Sequence, residues 1–192
     1  MSSSDHLVVE RLAGRVSFIH TAFLDAVGDL DEGSFHARPG AKAPPIAFHL
    51  WHTSRWADAF QARFGTLAPD LGRFAGREQL WDLQDLANAW HLGATLGKEA
   101  TGMGLDDDAS AAIPLPPKDA VVSYARSGFA AAEEVFAVLD EDEFRLPTAD
   151  FYDEGGWVVI DHFGWHLTHA SRHLGMIEAL KGVLGVDGTA TV

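Results

Sequence analysis

The chain has no cysteine, which excludes disulfide bonds, zinc–thiolate centres and a cysteine nucleophile. Any metal must be held by imidazole and carboxylate, and any thiol chemistry must use a thiol brought in by a small molecule. Positive charge is scarce: 14 Lys and Arg stand against 28 Asp and Glu, a formal net charge of −14. A field of that sign repels phosphate backbones and argues against a nucleic-acid partner. Much of the acid lies in short clusters, DLDE at 29–32, DDD at 106–108 and DEDE at 140–143, which read as solvated loops and helix ends. Long apolar runs are missing too. None approaches the roughly 20 residues of a membrane helix, so no membrane partner is expected. The N-terminal MSSSDHLVVERLAGR lacks the basic start, apolar stretch and small-residue cleavage site of a secretory signal, and a cytoplasmic location is the default. Strand-like alternation is absent throughout.

What is present is helical periodicity. With 47% apolar residues, the 192-residue chain can bury a sizeable core as a single domain spanning 1–192. Val8, Leu12, Val16, Ile19, Phe23 and Val27 recur at steps of three and four and predict a first helix from about Asp5 to Leu30, capped by Ser3 or Ser4. RPGAKAPP at 38–45 reads as a loop whose prolines suit the start of a second helix, running to about Phe64, with Phe48, His52, Trp56 and Phe60 on one stripe. A helix is plausible over REQLWDLQDLANAWHLGATLG at 77–97, inside a long connection that ends with the loop TGMGLDDDASAAIPLPP. A third core helix spans about Lys118–Leu139. After the loop LPTADFYDEGGW, a fourth spans about Val158–Leu184, with Gly185 as its stop. Four long amphipathic helices with one long connection between the second and third predict an all-α four-helix bundle.

Four of the ten histidines, His162, His166, His169 and His173, fall on the fourth helix at steps of four, three and four. With His162 at 0°, the others lie at about 40°, about 340° and about 20° around the axis. Met176, Leu180 and Leu184 continue the same stripe, so it faces the core. Buried imidazoles need partners, and histidines at i and i+4 aim their rings at a common spot, as in helical zinc sites. His162 and His173 lie roughly 16 Å apart along the axis, too far for one ion to take all four. One adjacent pair can share an ion with a histidine from the second helix, where His52 sits on the stripe and His49 lies about 60° away. Three neutral imidazoles leave coordination positions open, as catalytic sites do. His49 and His166 are candidate acid/base groups, with Asp58 and Glu178 behind them. His49, Trp56, His162 and His166 are candidate pocket-lining residues. His6, His20, His36 and His91 read as ordinary polar residues.

PPIAFHLWHTSRWAD resembles the second helix of the DinB-like superfamily, with Pro45, Ile46, Phe48, His49, Leu50 and His52 falling on its positions in order. HASRHLGMIEALKGVLG resembles its fourth-helix signature at His169, His173 and Gly175. The resemblance covers the whole chain in helix order. It implies a four-helix bundle holding a divalent metal, nickel or zinc, through His52, His169 and His173, and it implies homodimers. It also implies enzymes of a thiol-dependent kind, isomerases or transferases using mycothiol or bacillithiol on a small-molecule substrate. A metal-dependent hydrolase and a non-catalytic binder of metal or small ligands stand as alternatives. His49 departs from the pattern, which prefers an aliphatic residue there, and an alternative alignment of HLWHTSRW would make His49 the ligand. His162 and His166 are additional to the triad that the resemblance implies.

Overall fold

The structure is a computed structural model that describes residues 7–68, 70–93, 96–148 and 156–190. Among the described residues its regular elements are all helices, without a β-strand. Helix α1, Leu7–Gly28, buries Val16, Ile19, Phe23 and Val27 of the periodic face read from the sequence, with Leu12 half-buried, but at its start Val9 is buried and Val8 is exposed. Its proposed caps, Ser3 and Ser4, and the residue Asp5 lie outside the described residues. A one-turn helix α2, Glu32–His36, follows at once. The Asp31 carboxylate caps it by accepting the Ser34 backbone N–H at 2.6 Å.

Helix α3, Ile46–Leu67, starts after Pro45 and runs a turn beyond the expected end at Phe64. Its first sixteen residues are all buried, so it is the helix around which the others pack. Helix α7, Lys118–Ala137, and helix α8, Val159–Val183, complete the long elements. Asp161 accepts the Val158 backbone N–H at 2.9 Å at the start of α8, and Gly185, at φ 75°, follows its end. Both α1 and α3 pack on α7 and on α8. The α3–α7 approach is close at Gly128, where a Cβ would stand 3.2 Å from the Ser54 carbonyl oxygen.

The connection between α3 and α7 departs from the single helix expected over 77–97. It contains a 3-10 turn at Gly72–Phe74 and three short helices, α4 Leu80–Leu83, α5 Leu86–Ala89 and α6 Asp107–Ala111. Asp85 breaks the predicted helix by adopting φ 48°, in the left-handed region. The cause is tertiary: the buried Asp58 carboxylate on α3 accepts the backbone N–H groups of Leu80 and Trp81, each at 2.9 Å, and so fixes where α4 begins. Helix α6, inside the stretch read as loop, is capped by Asp106, which accepts the Ala109 N–H at 2.8 Å. No helix among the described residues is long and apolar enough to cross a membrane.

Candidate metal centre

Two successive turns of α8 present His169 and His173 toward α3, and α3 presents His52 between them. The ring centroids are 5.0 Å apart for His52 and His169, and 4.6 Å apart for both His52–His173 and His169–His173. Each ring offers one nitrogen within 4.8 Å of the other two, and His52 Nε2 lies 3.1 Å from His169 Nε2. Trp165 stacks on His169, and Phe48 stacks on His52, so aromatic faces fix both rings. The Nδ1–H of His52 donates to the Thr101 carbonyl at 2.5 Å, which leaves Nε2 as the lone-pair nitrogen facing His169.

Burial keeps all three rings uncharged. The His52 pKa is pushed down to about 4, chiefly by desolvation, against the opposing hydrogen bond to Thr101. His169 is pushed down to about 3 by desolvation, then by its neighbours His52 and Arg172. His173 is pushed down to about 2 by desolvation and by His52, His169, His49 and Arg172. At neutral pH the cluster is therefore three neutral donors, the form that coordinates a cation. The spacing fits as well: metal–nitrogen bonds of about 2.0–2.1 Å put two neighbouring ligand nitrogens about 3 Å apart. His169 Nδ1 is buried without a partner. What suits a divalent metal is the convergence of three neutral imidazole nitrogens on one point.

One wall of a cavity of about 560 Å³ is formed by His49, His52 and His173, and apolar side chains including Met103, Leu105, Met176 and Leu180 form much of the rest. Lys42 is its cation. His49 stands beside the cluster, its Nδ1 3.0 Å from His173 Nδ1, and its pKa is pushed down to about 4 by burial and then by His52. The three-residue group contains His52 and not His49.

The remaining sequence-derived residues divide. Trp56 and His162 line a separate small void of about 10 Å³ with Trp165, and His162 Nε2 pairs with the Thr148 hydroxyl at 2.8 Å. His166 lines neither cavity. It is buried against Phe60 and Phe136, with Nε2 2.9 Å from His20 Nε2, and burial drives its pKa well below the usual value. His20, read from the sequence as an ordinary polar residue, is 1% exposed, stacks on Phe129 and donates from Nδ1 to Glu133 at 2.8 Å. The signal for it was available: His20 adjoins Ile19 and precedes Phe23 by three on the core face of α1. His36 pairs with Glu32, His91 sits in an exposed turn and His6 lies outside the described residues. The carboxylates are engaged elsewhere. Asp58 serves Arg55, Tyr124 and α4, while Glu178 accepts the Thr189 backbone N–H at 2.8 Å.

The sequence profile of the DinB superfamily matches residues 17–177, which include all three clustered histidines. No curated protein matches the chain. Among solved structures it is similar to a conserved protein from Enterococcus faecalis, at 16% identity and a TM-score of 0.71, over 93% of this chain and 98% of that one. At that identity the likeness concerns the fold alone.

Proposed function

The chain belongs to the DinB superfamily, and on that premise we propose that it is a divalent-metal-dependent enzyme acting on a small molecule bound in the cavity beside its histidines. One observation carries the reading: His52, His169 and His173 offer nitrogens within 4.8 Å of one another, and two of them form a wall of a cavity of about 560 Å³. The cavity is also why catalysis is preferred to storage, since a storage site would be closed on all sides. Nickel or zinc is the proposed metal. When bound, such a cation supplies Lewis-acid chemistry, lowering the pKa of a coordinated water or thiol.

The protein's own residues supply the rest. His52, His169 and His173 act as neutral donors. His49, facing the cavity and neutral at pH 7, can accept a hydrogen bond from a thiol or water bound there. Phe48, Met103, Leu105, Met176 and Leu180 shelter the apolar part of the substrate from water. Because the chain has no cysteine, the reactive sulfur of a thiol-dependent transferase or isomerase comes from a co-substrate, mycothiol or bacillithiol. The homodimer belongs to the same proposal. The test is an assay of nickel- or zinc-loaded protein with either thiol and a panel of small electrophiles, read by mass spectrometry. Conjugate should form only with loaded protein and disappear in His173→Ala. Fully loaded protein that yields no conjugate or isomer with either thiol would remove the thiol-dependent part.

A further inference from the structure

The loop of residues 97–103 has a backbone that needs explaining. Glu99 and Ala100, neither of them glycine, both sit in the left-handed region at φ 57° and 53°, between Gly97 at 73° and Gly102 at 87°. L-residues rarely hold that conformation unless their surroundings impose it. The imposing group is Arg55, one turn beyond His52 on α3 and 1% exposed. Its Nε–H donates to the Ala100 carbonyl at 2.9 Å, and one Nη donates to the Glu99 carbonyl at 3.3 Å and to Gln79 Oε1 at 2.8 Å. The other Nη reaches the Tyr124 hydroxyl at 2.9 Å and Asp58 Oδ2 at 3.2 Å. The guanidinium thus grips two consecutive carbonyls of a strained loop, and the next carbonyl, that of Thr101, accepts the Nδ1–H of His52. From the far side Gly102 seats the loop on Phe48 and Trp51, where a Cβ would come within 3.0 Å of both rings. Gly102 and Met103 then become cavity wall.

We infer that Arg55 is a positioning residue for the histidine centre: it clamps the 97–103 loop so that the Thr101 carbonyl holds His52 in its Nδ1–H tautomer, leaving Nε2 free as a donor toward His169. The neutral imidazole has two tautomers, and the group on one nitrogen decides which lone pair the other presents. Lysine could not replace the function, because a point ammonium lacks the planar fork that spans two carbonyls, a carboxamide and a phenol. The inference concerns the tautomer directly and rests on the metal reading only for its consequence in metal affinity.

The test reads both. Two-bond ¹H–¹⁵N correlation spectra of the metal-free protein at pH 7.5 report the His52 tautomer, and chelator competition with zinc reports affinity. Wild type should show His52 protonated on Nδ1. Arg55→Lys should lose that preference and bind zinc about 10- to 100-fold more weakly. Gly102→Ala, which leaves the buried charges intact and presses the loop away from the Phe48 and Trp51 rings, should do the same if Arg55→Lys folds poorly. Val16→Ala, a core truncation in α1, should lower thermal stability and leave both readouts unchanged. The inference is overturned if wild-type His52 is protonated on Nε2, if folded Arg55→Lys (or, where that variant folds poorly, Gly102→Ala) keeps the wild-type tautomer, or if Val16→Ala shifts it equally. A wild type that shows the Nδ1–H tautomer yet binds no zinc would support the positioning and overturn the proposed function instead.

Discussion

His49 and His52 are three residues apart, and only one joins His169 and His173. Helical geometry alone leaves them about 60° apart around the axis, too close for spacing to choose. The choice comes from contacts that spacing does not encode. Thr101, 49 residues away in sequence, takes the His52 Nδ1–H, while His49 lies against His173. The α8 pair His169 and His173 was legible as a candidate because i, i+4 histidines on a core-facing stripe need partners. His20 was missed because its place on the core face of α1 signals burial, while a single histidine there gives no spacing that names a partner. It now carries a prediction. His20→Ala removes the partner of the wholly buried His166 and the hydrogen bond to Glu133. It should cost about 2–4 kcal/mol in urea denaturation, from a cavity plus a buried unpaired ring nitrogen. Metal content should be unchanged, since neither His20 nor His166 belongs to the cluster; a loss of metal would mean the two sites are coupled.

The four long helices were legible at the scale of elements because each has an apolar face that repeats at the helical period, and their ends fall within a few residues of expectation. The connection between α3 and α7 was not, because its conformation is set by side chains on α3 rather than by its own propensities. Leu80, Leu83, Leu86 and Trp90 do repeat at near-helical steps. Asp58 nonetheless starts α4 at a fixed point, and Asp85 turns left-handed between α4 and α5. Asp58→Ala should therefore act on the connection first. It strips α4 of its N-terminal acceptor and leaves the Arg55 charge buried without its carboxylate, a change that costs about 3–5 kcal/mol. Hydrogen exchange should show the Leu80 and Trp81 amides losing protection before those of α7 do. Uniform loss across all helices would contradict this order. At the end of α3, Gly65→Ala should also destabilise, by about 1–3 kcal/mol, because the new Cβ would stand 2.6 Å from the backbone of Phe74 and Ala75.

The all-helical class, the helix order and the superfamily resemblance were legible from the sequence across the whole molecule. The cavity was not, since its wall combines α3, α8 and the 102–110 segment. The molecule as a whole also has a predictable response to acid. Burial lowers the pKa of His20, His49, His52, His162, His166, His169 and His173 in the folded state. Below the ordinary histidine value of about 6.5 the unfolded chain takes up protons that the folded chain refuses, so unfolding gains. Stability of the metal-free protein should be flat above about pH 7 and fall as pH drops from about 6.5 toward about 4, the value for His49 and His52. Thermal midpoints measured across that range check the sign, and a midpoint that rises on acidification would contradict it.

On the proposed reading, His52, His169 and His173 together bind one divalent cation. Element-specific metal analysis tests it most directly, on wild type beside the three single alanine variants and His49→Ala, each first shown to be folded by circular dichroism. The prediction is about one equivalent of metal per chain in wild type and in His49→Ala, and a loss of most of it in each of the other three. Equal metal content in wild type and all three ligand variants, or none in wild type after incubation with nickel or zinc, would contradict the claim.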